Sequence, residues 1–163
     1  VQGDAGLILN HMRGTPDTWA RLAPVPNVMA SVMADLTAAA HRATRFGANR
    51  RSIVVDPGLG FGKGGVQNSE LLAELEVMRK LTFPVMVGAS RKSFLQQQSD
   101  HLTAHASTAA VTLAALKGAH IVRVHDVAEA KAALSVVDPV VEIEGLIEER
   151  KLETASVPPP PRR

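Results

Sequence analysis

The stretch IVVDPGLGFGK, residues 53–63, places the tightest constraint on the fold of this chain. Apolar strand residues end on Asp56, and a proline, three glycines and a lysine follow at once. In α/β proteins, a strand that delivers a carboxylate into a glycine-rich turn places a ligand beside bare backbone N–H groups. The stretch therefore predicts a strand, a tight turn and a binding site for a group that is planar and polar or phosphorylated.

Strands alternate with longer helical stretches along the rest of the chain. The predicted strands are residues 6–9, 52–55, 85–88 and 119–124, and the predicted helices are 28–46, one capped by Asn68-Ser69 that ends before residue 82, 104–116 and 127–137. Because each strand is nearly all apolar, the pattern predicts a parallel sheet that helices cover. The fold class is α/β, and four βα units form half of a (β/α)₈ barrel or most of a small doubly wound sheet.

Composition restricts the class of protein further. A chain of 163 residues, 45% apolar and 21% charged, fits one globular core, and no apolar run is long enough to span a membrane. The chain lacks the features of a signal peptide and does not begin with Met, as expected for a piece of something longer. The absence of cysteine fits the cytoplasm, where we expect the protein. The net charge of +2 decides little, whereas 3% aromatic residues argue against a base-stacking surface, and we expect no nucleic-acid partner.

The end of the chain differs in composition from the rest. Residues 142–153 are charged and compatible with a short helix, and residues 157–163, VPPPPRR, resemble polyproline. We therefore predict a folded domain over 1–137 and a charged, proline-rich, disordered tail over 138–163.

Polar side chains follow each predicted strand. They are Asn10, His11 and Arg13 after the first strand, Asp56 after the second, Ser90, Arg91 and Lys92 after the third, and Arg123, His125 and Asp126 after the fourth. The carboxyl ends of parallel strands meet at one edge of the sheet, where ligands bind in such folds. The cations suit phosphate or pyrophosphate. Asp56, as the lone carboxylate among them, is expected to be ionised and to accept hydrogen bonds from a heterocycle.

Purely structural interpretations of the same residues stay open. Asp56 could open a turn, and His11 could orient loops at a strand end. Lys63 could be a solvated loop charge, and Arg91 could form a salt bridge pointing outward. The glycine run lacks the spacing of a Walker A loop, and no metal-ligand spacing links the histidines.

With these residues assembled, the chain resembles the dihydropteroate synthases of the folate pathway, which have a (β/α)₈ TIM barrel fold. Four stretches carry the resemblance: HMRGTP at 11–16, DPGLGFGK at 56–63, VGASRKSF at 87–94 and GAHIVRVHDV at 118–127. Their order and spacing agree with strands five to eight of that family. The resemblance covers residues 6–137, so the chain is expected to form a partial barrel, the carboxyl-terminal half of the pterin-binding domain.

The resemblance implies a transferase that joins p-aminobenzoate to 6-hydroxymethyl-7,8-dihydropterin pyrophosphate and releases pyrophosphate. It implies that Asp56 grips the amino and ring N–H edge of the pterin, Lys92 hydrogen-bonds the ring and Arg123 stacks over it. These three are the expected catalytic residues, and no protein nucleophile is required. The remaining implied roles are pyrophosphate binding by Arg123 and His125, p-aminobenzoate binding by Ser90 and Phe61, and lining of the pterin site by Phe61 and Gly88.

The chain also departs from the family pattern. The family barrel begins with four strands that are absent here, and those strands supply further pterin contacts and the loops that help to hold Mg²⁺. We therefore expect Mg²⁺ as cofactor with no metal ligand in this chain, and little activity from the chain alone. Asn10 replaces the usual Met, and no glycine follows Phe94. The unpaired edges of a half barrel favour a homodimer or a complementing amino-terminal half.

Two other functions stay open on the sequence. The first is a non-catalytic pterin-binding module, such as the pterin domain of a corrinoid methyltransferase, which needs no pyrophosphate site. The second is an interaction protein built on a decayed barrel. The basic clusters at 90–92 and 123–125 favour the synthase.

Overall fold

A computed structural model describes residues 5–156 of the chain. Four strands alternate with four α-helices: β1 (Leu7–Asn10), α1 (Val28–Arg45), β2 (Ile53–Asp56), α2 (Gly65–Ala73), β3 (Met86–Val87), α3 (Asp100–Leu116), β4 (Ile121–Val122) and α4 (Val127–Ser156). Short 3₁₀ helices lie at Trp19–Arg21, Arg50–Ser52, Leu75–Leu81 and Ser93–Leu95. The α/β class and the order of elements predicted from the sequence are confirmed, although β3 and β4 are shorter than predicted.

All strand pairs are parallel. β1 pairs with β2 in the register Leu7 to Ile53 through Asn10 to Asp56, and β3 pairs with β4 through Val87 and Val122. A single bridge between Val55 and Val85 joins the two pairs, so the strands lie in the order β1, β2, β3, β4. Among the described residues, β1 and β4 each keep one edge without a strand partner.

The two faces of this sheet differ. Val55, Val85 and Val87 point to one face and are almost fully buried in the core that the helices cover. Successive side chains of a strand alternate between faces, so Asp56 and Gly88 belong to the opposite face. Ile8 and Ile121 on that face are 52% and 42% exposed. The open face therefore carries Asp56 and Gly88, two of the predicted site residues.

Helix α2 begins earlier than the sequence predicted. It starts at Gly65, with Gly64 as the N-cap residue and no side-chain capping bond. Asn68, expected to cap this helix with Ser69, lies inside it and is buried. The prediction was wrong because the Asn68 amide bonds to the backbone of Gly60, Lys63 and Gly64 from inside the helix and caps none of its first N–H groups.

The predicted end of the last helix at Val137 is also wrong. Helix α4 continues through Pro139 to Ser156, so residues 138–156 are helical rather than disordered. A proline inside a helix removes one backbone hydrogen bond, but Val137 is buried before it, and after it Val141 lines the same pocket as Ala115 and Ala119. The helix thus lies against the rest of the fold on both sides of the proline, which favours one continuous helix. Residues 157–163, predicted to be disordered, lie outside the described residues, and the domain division at 137 stays a prediction.

None of the helices described between residues 5 and 156 combines the length and the apolar character that crossing a membrane requires.

Candidate active site

Asp56 lies at the end of β2, on the open face of the sheet, and is 1% exposed. Its Oδ1 accepts a hydrogen bond of 2.7 Å from the backbone N–H of Gly58, which closes the turn after the strand. Burial raises the pKa of the Asp56 carboxyl, while the Gly58 N–H and the charges of Arg123 and Lys92 act in the opposite direction. Burial therefore opposes the ionised state that the neighbouring cations predict for Asp56.

The turn after Asp56 is a compact glycine loop. Gly58, Gly60 and Gly62 all have positive φ, at 67°, 80° and 68°, which glycine adopts without strain. A Cβ on Gly58 would overlap the carbonyl oxygen of His11, so the loop presses against the end of β1. The glycines are thus required by backbone shape and by close approach to the neighbouring strand.

The Lys63 ammonium lies inside this loop and binds backbone carbonyl groups there. Its Nζ donates hydrogen bonds to the carbonyl oxygens of Gly58 at 2.8 Å, Phe61 at 3.2 Å and His11 at 3.4 Å. The residue is only 8% exposed, and burial lowers the pKa of its ammonium to about 8. Lys63 is therefore a buried part of the loop and not a solvated charge.

Asn68 holds the other side of the loop. Its Oδ1 accepts a 2.7 Å hydrogen bond from the Gly60 N–H, and its Nδ2 donates to the carbonyls of Lys63 and Gly64. This role of Asn68 is not predictable from the sequence, because a buried amide that bonds to loop backbone leaves no periodic signal.

Lys92 extends along the loop towards Phe61. Its Nζ lies 3.8 Å from the centroid of the Phe61 ring, and a Cβ on Gly60 would lie 3.2 Å from its Cδ. Burial, and secondarily the charge of Arg123, lowers the pKa of the Lys92 ammonium, while Asp56 opposes the shift. The residues predicted to hold the pterin ring therefore lie together.

Arg123, which follows β4, lies against Gly88, which follows β3. A Cβ on Gly88 would come within 2.7 Å of Nη2 of Arg123, so only glycine leaves this space to the guanidinium. Two residues further along each segment, the Ser90 hydroxyl bonds Nδ1 of His125 at 3.1 Å and accepts the His125 backbone N–H at 3.2 Å. These four residues, with Arg91, Lys92 and Val124, line a cavity of about 310 Å³. The cavity has the size and the cationic lining suited to a pyrophosphate group.

Arg91 does not join the cation cluster as a free charge. Its Nε and Nη2 donate to the two carboxylate oxygens of Asp126 at 3.1 and 2.6 Å. The partnership raises the pKa of the Arg91 guanidinium and lowers that of the Asp126 carboxyl. The outward salt bridge, one of the two interpretations open on the sequence, is the one observed.

The first strand contributes structural contacts. His11 is 4% exposed, and its Nε2 lies 3.1 Å from the Asp35 carboxylate. Burial lowers the pKa of the His11 imidazole, with the charge of Lys63 acting in the same direction. Asn10 pairs with Asp56 across β1 and β2 and so shares its face of the sheet.

Within residues 5–156, no group of three or more carboxylate, histidine or cysteine side chains is arranged to hold a metal ion.

The sequence that forms this site matches a known protein family. The model of the pterin binding enzymes matches residues 1–125. The chain belongs to the pterin binding enzyme family. The match includes the glycine loop, the cavity residues and all of the predicted site residues.

Individual members of the pterin binding enzyme family agree. The chain is 37% identical over 135 residues to the dihydropteroate synthase of Escherichia coli strain K12. The aligned region covers 80% of this chain and 47% of the relative. The structure resembles that of the Yersinia pestis dihydropteroate synthase in a sulfonamide drug complex, with a TM-score of 0.80 and 30% identity over 85% of this chain and 52% of that one. The Xanthomonas albilineans synthase in complex with 7,8-dihydropteroate matches with a TM-score of 0.74 and 34% identity, over 83% and 50% of the two chains.

The chain spans about half the length of the curated relatives it matches.

Proposed function

We propose that this chain forms part of a dihydropteroate synthase, which condenses 6-hydroxymethyl-7,8-dihydropterin pyrophosphate with p-aminobenzoate. The observation that carries the proposal is the buried Asp56 carboxylate on the same face of the sheet as a cavity that Lys92, Arg123 and His125 line. A heterocycle with an amino and N–H edge and a pyrophosphate tail needs both kinds of group.

Asp56 binds the pterin through its carboxylate oxygens. Oδ1 already accepts the Gly58 N–H, so the remaining lone pairs of the carboxylate accept the pterin amino and ring N–H groups. Lys92 and Arg123 bind the ring and balance the buried negative charge, and Phe61 and Gly88 complete the wall.

The pyrophosphate group binds to Arg123 and His125 in the cavity. Breaking the bond between the pterin methylene carbon and the pyrophosphate oxygen leaves negative charge on pyrophosphate, which the guanidinium stabilises, and cationic character on the pterin, which Asp56 stabilises. The amine of p-aminobenzoate, held near Ser90 and Phe61, forms the new C–N bond and loses a proton. No covalent enzyme intermediate is needed.

In the same proposal, β1 to β4 correspond to strands five to eight of a (β/α)₈ barrel. The open edges of β1 and β4 and the exposed Ile8 and Ile121 support pairing with further strands, supplied by a complementing amino-terminal half or by a second copy of the chain. That half would carry the Mg²⁺ ligands and the other pterin contacts, and the complete enzyme would act in the cytoplasm.

Calorimetry and a pyrophosphate-release assay test the proposal. We expect the chain to bind pterin pyrophosphate, with release of pyrophosphate after p-aminobenzoate is added only when an amino-terminal half is also present. The amino-terminal half of the Escherichia coli relative, expressed separately, is the first complement to try. Asp56→Asn should abolish the measured turnover, and Asp138→Asn, at an exposed position on α4, serves as the matched control. Failure of the chain to bind pterin pyrophosphate would contradict the proposal.

The same titration separates the synthase from a non-catalytic pterin module. The cationic cavity favours the synthase, because a module that binds plain pterin has no use for it. Pterin pyrophosphate should therefore bind at least about tenfold more tightly than 6-hydroxymethyl-7,8-dihydropterin. Equal affinities would favour the module.

A further inference from the structure

Trp19 lies beside the candidate site, although no function assigned so far uses it. It begins the short 3₁₀ helix Trp19–Arg21 in the loop between β1 and α1. It is the single tryptophan of the chain, which contains no tyrosine. The sequence carried no signal for its role, because nothing in the spacing links it to the glycine loop.

The Trp19 ring contacts Phe61 edge to face. The ring centroids are 5.4 Å apart and the ring planes meet at 78°, the T-shaped arrangement that aromatic pairs favour. The Phe61 ring also carries the Lys92 ammonium, 3.8 Å from its centroid. Trp19, Phe61 and Lys92 thus form a continuous stack, which we call the aromatic stack.

Backbone contacts fix Trp19 relative to the glycine loop. The Trp19 N–H donates to the Thr15 carbonyl at 3.2 Å, and Thr18 Oγ1 donates to the same carbonyl at 2.8 Å. Arg13 bridges the two loops by donating from Nη1 to the Gly62 carbonyl at 3.2 Å and from Nη2 to the Ala23 carbonyl at 2.9 Å. The Trp19 loop is therefore tied to the loop that carries Phe61.

We infer that Trp19 is a positioning residue for the site: it fixes the plane of the Phe61 ring and thereby holds the Lys92 ammonium beside Asp56. Within residues 5–156 no hydrogen bond holds the flexible side chain of Lys92, whereas the face of an oriented aromatic ring attracts an ammonium group. For its effect on pterin binding, this inference rests on the proposed function.

A ligand-free measurement tests the inference directly. The ring current of Phe61 should shift the NMR signals of the Lys92 side chain upfield, and reductively ¹³C-methylated lysine makes them visible, with Lys92→Arg to assign them. Phe61→Leu removes the ring and gives the unshifted value. We expect Trp19→Ala to move the signal most of the way to that value, and Trp19→Phe, which keeps an aromatic edge, to leave it near the parent.

Affinity provides the functional measurement. Trp19→Ala should weaken binding of pterin pyrophosphate by about three- to tenfold, the cost of one aromatic pair, while Trp19→Phe stays within about twofold. If Trp19→Ala unfolds, Trp19→Leu replaces it, because leucine retains apolar volume without a ring.

The outcomes separate positioning from simple packing. A Trp19→Ala protein that keeps the parent Lys92 shift and affinity, and loses only thermal stability, would overturn the inference. If the parent fails to bind pterin pyrophosphate but Trp19→Ala still moves the Lys92 signal, the proposed function fails while the positioning of Lys92 by Trp19 stands.

Discussion

The guanidinium of Arg123 occupies the space that a side chain at residue 88 would fill. A Cβ on Gly88 would lie 2.7 Å from Nη2 and 3.1 Å from Cζ of Arg123. The glycine is therefore required by its neighbour, since its own φ is outside the positive range that would demand glycine. Contact with Gly88 therefore fixes the position of the Arg123 guanidinium in the cavity.

Gly88→Ala should push Arg123 out of this place. We expect affinity for inorganic pyrophosphate to fall about tenfold, because one charge-assisted contact is misplaced while the fold is retained. Isothermal titration calorimetry measures it. Gly64→Ala is the matched control, since nothing lies within 4 Å of its added Cβ and its φ of −66° suits alanine. Equal affinity in Gly88→Ala would show that Arg123 binds pyrophosphate from another position.

Arg91 and Arg123 should differ sharply in their effect on the same ligand. Arg91 already donates to both oxygens of Asp126, whereas Arg123 faces the cavity beside Gly88. We expect Arg123→Met to weaken pyrophosphate binding about thirtyfold and Arg91→Met to weaken it less than about threefold. Comparable losses in the two variants would mean that the Asp126 ion pair opens when the ligand binds.

Pterin affinity should fall as the solution becomes more acidic. Burial raises the pKa of Asp56 above its ordinary value, and the protonated carboxyl cannot accept two hydrogen bonds from the pterin edge. Binding should therefore weaken as pH decreases through the raised pKa of Asp56, with protons released on binding in that range. Calorimetry in buffers of different ionisation enthalpy counts these protons. Asp56→Asn should show neither the proton release nor the loss of pterin affinity at low pH. If the pH dependence of pterin affinity is the same in Asp56→Asn as in the parent, Asp56 is not the group that titrates.

Lys63 should make stability depend on alkaline pH. Its pKa is about 8 in the folded chain, whereas an unperturbed lysine titrates near 10.4. Between these values the unfolded chain keeps the proton and the folded chain has released it, so the free energy of unfolding rises with pH, by up to about 3 kcal/mol. Urea unfolding, followed by Trp19 fluorescence from about pH 7.5 to about pH 10.5, measures the rise.

Lys63→Met should lose the part of this dependence that Lys63 contributes and keep only the part due to Lys92, whose pKa burial also lowers. It should also be less stable, because the carbonyls of Gly58, Phe61 and His11 lose their donor. Lys131→Met, on the exposed side of α4, should behave as the parent. If the free energy of unfolding depends on pH in the same way in the parent and in Lys63→Met, a group other than Lys63 titrates in this range.

The sequence predicted the parts of the site that depend on strand ends and on even spacing. Arg123 and His125 are two residues apart, as are Gly88 and Ser90, and the structure pairs them across β3 and β4. Such contacts follow from the alternation of side chains along parallel strands. Asp56, at the end of β2, is predictable for the same reason.

The remaining features depend on contacts between segments far apart in the sequence. The burial of Lys63 requires carbonyls from two loops, and the amide of Asn68 acts on a loop that precedes its helix. Helix α4 continues through Pro139, with Val137 buried before it and Val141 after it in the lining of a pocket shared with Ala115 and Ala119. Helix propensity alone predicts that α4 ends at the proline, but tertiary packing overrides this preference.

The pairing of Asn10 with Asp56 also limits how this protein can change in length. Removing one residue from β2 would turn Val55 towards the ligand and bury a carboxylate among the helices, since a slip by one position exchanges the two faces of a strand. Strands as short as Met86–Val87 and Ile121–Val122 cannot absorb such a slip in a bulge. Functional variants of this chain should therefore gain or lose residues in their loops and at the far ends of their helices, while the number of residues in each strand stays constant.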